Sequence, residues 1–149
     1  MSHTSKCIGV PVRDISALRS AVADLQASGI SCALVENAKP RMYYTDQTGV
    51  MPYVVQLKNG RYDIGFEQQS DGSYVPVFDN WGGHVEGQVG ASCPMPHTEE
   101  GRLQHAIGKV MQGYSKHAAI NAAQSAGHTV ENCWVDDAGN VQLEIAAFA

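Results

Sequence analysis

Ile8, Val10 and Val12 are separated by single small residues, the period of a strand with one buried face. Asp14 follows as a helix N-cap. Ile15, Leu18, Val22 and Leu25 then recur at helical spacing until Gly29, a residue suited to the left-handed position just past a helix. Ile30, Cys32 and Leu34 resume the two-residue period, so residues 6–36 are predicted to run strand, helix, strand.

Residues 37–52 interrupt the pattern with Lys39-Pro40, Gly49 and Met51-Pro52, and are predicted to form a loop with a short extended piece near Tyr43 and Tyr44. Tyr53, Val55 and Leu57 alternate, as do Tyr62, Ile64 and Phe66. Asn59-Gly60 between the two runs suits a hairpin turn whose central residues take positive φ. Asp71-Gly72 marks a second turn, and residues 53–78 read as a three-stranded antiparallel meander. Residues 82–101 hold Gly82, Gly83, Gly87, Gly90, Pro94, Pro96 and Gly101, a density that predicts neither a regular helix nor a central strand. Irregular stretches of that length in compact domains are often functional.

Thr98 is placed to cap one further helix, with Glu99 and Glu100 at its positive end and an apolar stripe of Leu103, Ile107, Val110, Met111, Tyr114 and Ala118 running towards Gly127. Val130, Asn132 and Trp134, a turn at residues 137–140, and Val141, Leu143 and Ile145 complete a final pair of strands. The predicted order is β-α-β-β-β-β-α-β-β. The fold class is α+β, an antiparallel or mixed sheet with two helices packed on one face. Unpaired sheet edges leave homo-oligomerisation open.

A chain of 149 residues suits a single domain, and no internal boundary interrupts residues 1–149. Net charge −5 and a pI near 5.6 disfavour a dedicated binder of nucleic acid or anionic membrane. No apolar run reaches the roughly 20 residues that span a bilayer. The polar start at residues 1–6 is expected to be neither an export signal nor a lipidation site, which places the protein in the cytoplasm. Cys7, Cys32, Cys93 and Cys133 are accordingly expected to be reduced thiols.

Chemistry-bearing residues concentrate in the two irregular stretches. Arg41, Tyr43 and Tyr44 combine a cation with aromatic planes. With His84 and His97 they are the loop groups best suited to converge on a small molecule. His84, Cys93 and His97 offer zinc-ligating atoms, but their spacing matches no zinc motif and a structural site usually needs four ligands, so no metal is expected. Asp63 and Glu67 fall on one strand face, where two carboxylates suit acid–base chemistry or simply a solvated side. Gly65 between them marks a bulge or a close approach. His105 is expected to be solvated, and either His105 or His117 would need a carboxylate from elsewhere in the fold to act. There is no Gly-x-Ser-x-Gly elbow, phosphate-binding loop or dinucleotide fingerprint. No cofactor and no enzymatic activity are expected.

Three segments together resemble one family. They are Met1-Ser2-His3 leading into the first strand and helix; Tyr62-Asp63-Ile64-Gly65-Phe66, followed by a hairpin and Asp79-Asn80-Trp81; and the last helix with its Gly127, strand, Asp-containing turn and strand. This is similar to the conserved chloroplast open-reading-frame thirty-five family, or domain of unknown function twelve fifty-seven, found in plastids, cyanobacteria, other bacteria and phages. The resemblance implies structural roles for His3, Tyr62, Asp63, Gly65, Phe66 and Trp81. By association it implies an AAA-type ATPase as partner, and it adds plastid stroma and phage-infected host cytoplasm as compartments. It implies no catalytic residue. The expected function is a non-enzymatic protein-interaction or accessory domain. The alternative is a small-molecule or nucleotide binder, such as a phage-type ligand-sequestering antagonist, or a small enzyme using residues 82–101.

Overall fold

The computed structural model describes residues 5–6, 11–43, 48–137 and 140–147. The predicted positions His3, Cys7, Ile8, Val10 and Tyr44 lie outside them. Strand β1 (Ser5–Lys6) leads to helix α1 (Ile15–Ala27), then β2 (Cys32–Ala38), β3 (Met51–Leu57), β4 (Ile64–Gln68) and β5 (Tyr74–Phe78). A 3₁₀ turn (Trp81–Gly83) and the short α2 (Glu86–Val89) precede α3 (Glu99–Ala106), α4 (Gly108–Ser125), β6 (His128–Val135) and β7 (Val141–Ala147). Among the described residues the strands form a five-stranded antiparallel sheet, ordered β1-β5-β4-β3-β2, and a separate antiparallel pair, β6-β7. The class is α+β.

The predicted punctuation holds where it rests on local chemistry. The Asp14 carboxylate accepts the Ala17 N–H at 3.2 Å to cap α1, and the Thr98 hydroxyl accepts the Gly101 N–H at 3.1 Å to cap α3. Gly29 and Gly127 follow α1 and α4 at φ 99° and 83°. Val12 exchanges both backbone hydrogen bonds with Tyr74, at 2.7 and 2.8 Å, which lays the entry to α1 along β5.

One face of the larger sheet presents Val55, Leu57, Ile64, Phe66 and Phe78 to α1 and α4, which bury Leu18, Val22, Val110 and Tyr114 against it. The helices approach closely because Gly113 lacks a side chain; a Cβ there would stand 3.1 Å from Ala21 Cβ. The second face carries buried Val54, Val75 and Val77. The chain leaving β2 folds back over Gly65, bringing the Pro40 ring and the Met51 side chain against the β4 backbone. Gly65 thus serves close approach by side chains.

Three expectations are corrected. The β3–β4 connection is wider than a two-residue turn, and neither Asn59 nor Gly60 takes positive φ. A Cβ at Gly60 would meet the Gln88 amide of α2, the end of a long side chain that can swing aside. The stretch 82–101 contains a short helix, α2, where none was expected. The last helix is two helices, broken at Ile107 (φ −115°, ψ 23°). The His105 carbonyl there accepts the Ala91 N–H at 2.8 Å, so a helical acceptor is engaged by the incoming loop.

Candidate functional site

Ile64 of β4 pairs with Phe78 of β5, so Asp63 and Asp79, the residues flanking that pair, lie side by side at one end of the sheet. Both are buried, at 2% and 1% exposure, and each needs partners to remain there. Asp63 is held by Arg41. The guanidinium donates through Nη2 at 2.8 Å and Nε at 3.1 Å, and the Arg41 and Leu57 backbone N–H groups add bonds of 2.9 and 3.1 Å. Arg41 Nη2 also donates to the Leu57 carbonyl at 2.7 Å. The carboxylate pushes the Arg41 pKa up, principally through these side-chain hydrogen bonds. Asp63 is therefore the anchor that fastens residues 39–43 under the sheet. It is neither a solvated carboxylate nor an acid–base partner of Glu67, which pairs with Lys6 at 3.2 Å on the surface.

Asp79 performs the same service for the aromatic side. Its Oδ1 accepts the Trp81 N–H at 3.0 Å and its Oδ2 accepts the Tyr43 N–H at 3.3 Å. Asn80 accepts the Glu86 N–H at 3.1 Å and donates to the Glu86 carboxylate at 3.4 Å, tying the segment to α2. The Tyr43 and Trp81 rings then meet edge to face, centroids 6.2 Å apart, with 48% and 45% of their surface still exposed. Tyr62 is buried behind them, edge to face with His84 at 5.7 Å. Burial, reinforced by the Asp79 charge, pushes the Tyr62 hydroxyl pKa up, so it stays protonated. Gly82 is required by its φ of 65° and by the His84 ring, which a Cβ would approach to 3.1 Å.

Arg41, Tyr43 and His84 are thus gathered with Tyr62, Asp63 and Trp81 into one cluster. His97 is not: it is exposed on the segment before α3. Asp79 and Asn80 are the members that sequence reasoning treated only as part of a motif. Asp79 was recognisable as a carboxylate ending an apolar strand, but its partners lie across the fold. The cluster offers hydrogen bonding, charge and aromatic area.

A concavity of about 640 Å³ lies where residues 91–96 cross α3 and α4, and Cys93, Gln104, His105, Gln112 and Asp137 line it. The His105 side chain is only 8% exposed, correcting the solvated reading. Its Nε2 donates to the Cys93 carbonyl at 2.8 Å. Its Nδ1 stands 3.2 Å from Glu86 Oε1, within ion-pairing distance but not aligned for a hydrogen bond. His117 likewise finds a distant carboxylate, Asp24 of α1, at 2.6 Å. Together with Lys116 at 3.0 Å, His117 pulls the Asp24 pKa down. Among the described residues no group of three or more His, Cys, Asp or Glu is placed to hold a metal, Cys32, Cys93 and Cys133 are free thiols, and no helix is long and apolar enough to cross a membrane.

No curated protein and no solved structure matches the chain. Residues 24–144, which take in the cluster around Asp63 and Trp81 and leave out His3, match the model of the family described as protein of unknown function (DUF1257), and the chain belongs to that family.

Proposed function

We propose that the protein is a non-enzymatic interaction domain that binds another protein through the Tyr43–Trp81 face. The observation that carries this reading is the exposed aromatic pair itself. Two large rings stand in solvent beside a half-exposed Arg41, each fixed by a buried carboxylate. Trp, Tyr and Arg dominate the binding energy of protein interfaces, and side chains already held in place lose little entropy on binding. An AAA-type ATPase is the first partner to test. Cross-linking from a photoreactive phenylalanine analogue at position 81 in the native host should yield a discrete protein adduct, and Tyr43→Ala should remove it. Adducts that survive Tyr43→Ala, or a position that cross-links to no protein, would sink the proposal.

The cavity favours a second reading, capture of a small molecule. Its volume suits such a ligand, and a thiol, an imidazole and two amides line it. A native mass spectrum of the protein from its own host tests this. A discrete added mass lost in Gln104→Ala supports it, and a bare chain together with no thermal shift across a metabolite panel rejects it.

A further inference from the structure

Lys6, Arg13, Arg19, Arg41 and Lys116 each meet a carboxylate. Lys39, Lys58, Arg61, Arg102 and Lys109 meet none among the described residues. Two of these, Lys58 and Arg61, stand in the β3–β4 connection beside the Tyr43–Trp81 face. The Leu57 N–H donates to Asp63 and the Leu57 carbonyl accepts from Arg41, so Lys58 directly follows the residue to which the 39–43 segment is fastened. Gly60 lies against the opposite wall: a Cβ there would stand 3.7 Å from the His84 carbonyl, at the end of the turn that carries Trp81. Arg61 precedes Tyr62, the ring buried behind Tyr43 and Trp81. Burial and the Asp79 charge raise the Tyr62 pKa while Arg61 opposes them, which puts the guanidinium within electrostatic reach of that hydroxyl.

The charge that meets solvent here is of one sign. Within residues 39–43, 57–63 and 79–84, Lys39, Arg41, Lys58 and Arg61 are exposed, whereas the carboxylates, Asp63 and Asp79, are buried. Asp63 balances Arg41, and the Asp79 oxygens are turned to the Trp81 and Tyr43 N–H groups, so the solvent-facing excess rests on Lys58 and Arg61. Glu86, at the start of α2, is turned to Asn80 and His105. Arg41 spends Nε and Nη2 on Asp63 and the Leu57 carbonyl, and its Nη1 has no partner among the described residues. These cations draw an anionic surface and repel a basic one. A protein segment suits the face better than a nucleic acid. A chain of net charge −5 repels a long polyanion, and two rings set at 69° to each other give successive bases no parallel platform.

We infer that the segment bound on this face is acidic, its carboxylates meeting Lys58, Arg61 and the open edge of Arg41 while an apolar or aromatic side chain covers Tyr43 and Trp81. The inference rests on the reading of the Tyr43–Trp81 face as a protein-binding surface and adds the chemistry of what binds there.

The test uses the full chain in its native host, carrying the photoreactive phenylalanine analogue at position 81. Sequencing of the cross-linked peptide should find more Asp and Glu than Lys and Arg. Lys58→Glu/Arg61→Glu, whose two side chains are exposed and whose melting temperature should match that of the parent, should lower the adduct yield roughly tenfold. Lys58→Gln/Arg61→Gln should lower it less, and serves alone if the reversed pair melts early. Arg102→Glu/Lys109→Glu, which reverses the unpaired cations of α3 and α4, should leave the yield unchanged. A cross-linked peptide that is neutral or basic, a nuclease-sensitive adduct, full yield from both variants at positions 58 and 61, or an equal loss from the α3–α4 variant would overturn the inference. A neutral or basic protein adduct that Tyr43→Ala still removes would leave the docking face standing. The absence of any adduct would take down both.

Discussion

The Asp63 carboxylate is buried while the guanidinium that neutralises it, on Arg41, is half in solvent. The asymmetry decides what each substitution does. Arg41→Met strands a buried charge with only two backbone N–H donors, the situation in which breaking a buried pair costs about 3–5 kcal/mol. Asp63→Asn retains an oxygen for the Leu57 N–H and leaves Arg41 partly hydrated, so it should cost roughly half as much. Urea denaturation of the two variants checks the order. Equal losses, or an Arg41→Met effect below about 1 kcal/mol, would mean the pair behaves as an ordinary surface salt bridge.

Gly65 is pinned by its neighbours. A Cβ there would overlap the Met51 sulfur and stand 3.0 Å from Pro40 Cγ. Gly65→Ala should therefore lower stability by about 1–3 kcal/mol through overpacking, although alanine ordinarily suits a strand interior better than glycine. Met51→Ala in the same chain should recover part of the loss, because it removes the nearer obstacle. Melting temperatures of the single and double variants decide; no recovery would place the strain elsewhere.

What the sequence made legible follows from how local each cause is. The Asp14 and Thr98 caps, the glycines after α1 and α4 and the strands β3 to β5 answer to signals that act within a few residues, and the described structure contains all of them, although the strands bury residues on both faces rather than alternately. Arg41 and Asp63 are 22 positions apart, and His117 and Asp24 are 93 apart, so their pairing exists only once the sheet order and the helix crossing are known. The Asn59-Gly60 signal named a hairpin correctly but not its backbone, since neither residue takes positive φ in the wider β3–β4 connection. The apolar stripe from Leu103 to Ala118 continues through the break at Ile107, and periodicity carries no trace of the Ala91 backbone that docks there.

Asp71 gives the fold a signature in acid. Its carboxylate accepts the Ser73 hydroxyl at 2.6 Å and the Ser73 N–H at 3.0 Å, with Arg13 at 3.1 Å. Chiefly through Ser73, its pKa falls to about 2. A carboxylate titrates near 3.9 in the unfolded chain, so the folded state holds this proton less tightly. Asp71 therefore adds stability that is fully present above about pH 4 and is lost as pH falls through the folded value near 2. A carboxyl-carbon titration by nuclear magnetic resonance should find the low midpoint, and Ser73→Ala should move it upward by more than Arg13→Ala does. The reverse ranking would contradict the turn geometry.

Gly108 is the position where helix propensity and packing point in opposite directions. It opens α4, and replacing glycine by alanine in a helix ordinarily gains up to about 1 kcal/mol. A Cβ at this site, however, would run into Ala91, standing 3.0 Å from both its N and its Cα. Backbone cannot swing aside as the end of a long side chain can, and the Ala91 N–H is fixed to the His105 carbonyl. Gly108→Ala should therefore destabilise the protein and push residues 91–96 away from α4. The enlarged cavity should speed alkylation of Cys93, which lines it. Thermal melting and thiol labelling read the two effects separately. A higher melting temperature with unchanged labelling would show that the loop does not rest on α4, and that the break at Ile107 has another cause.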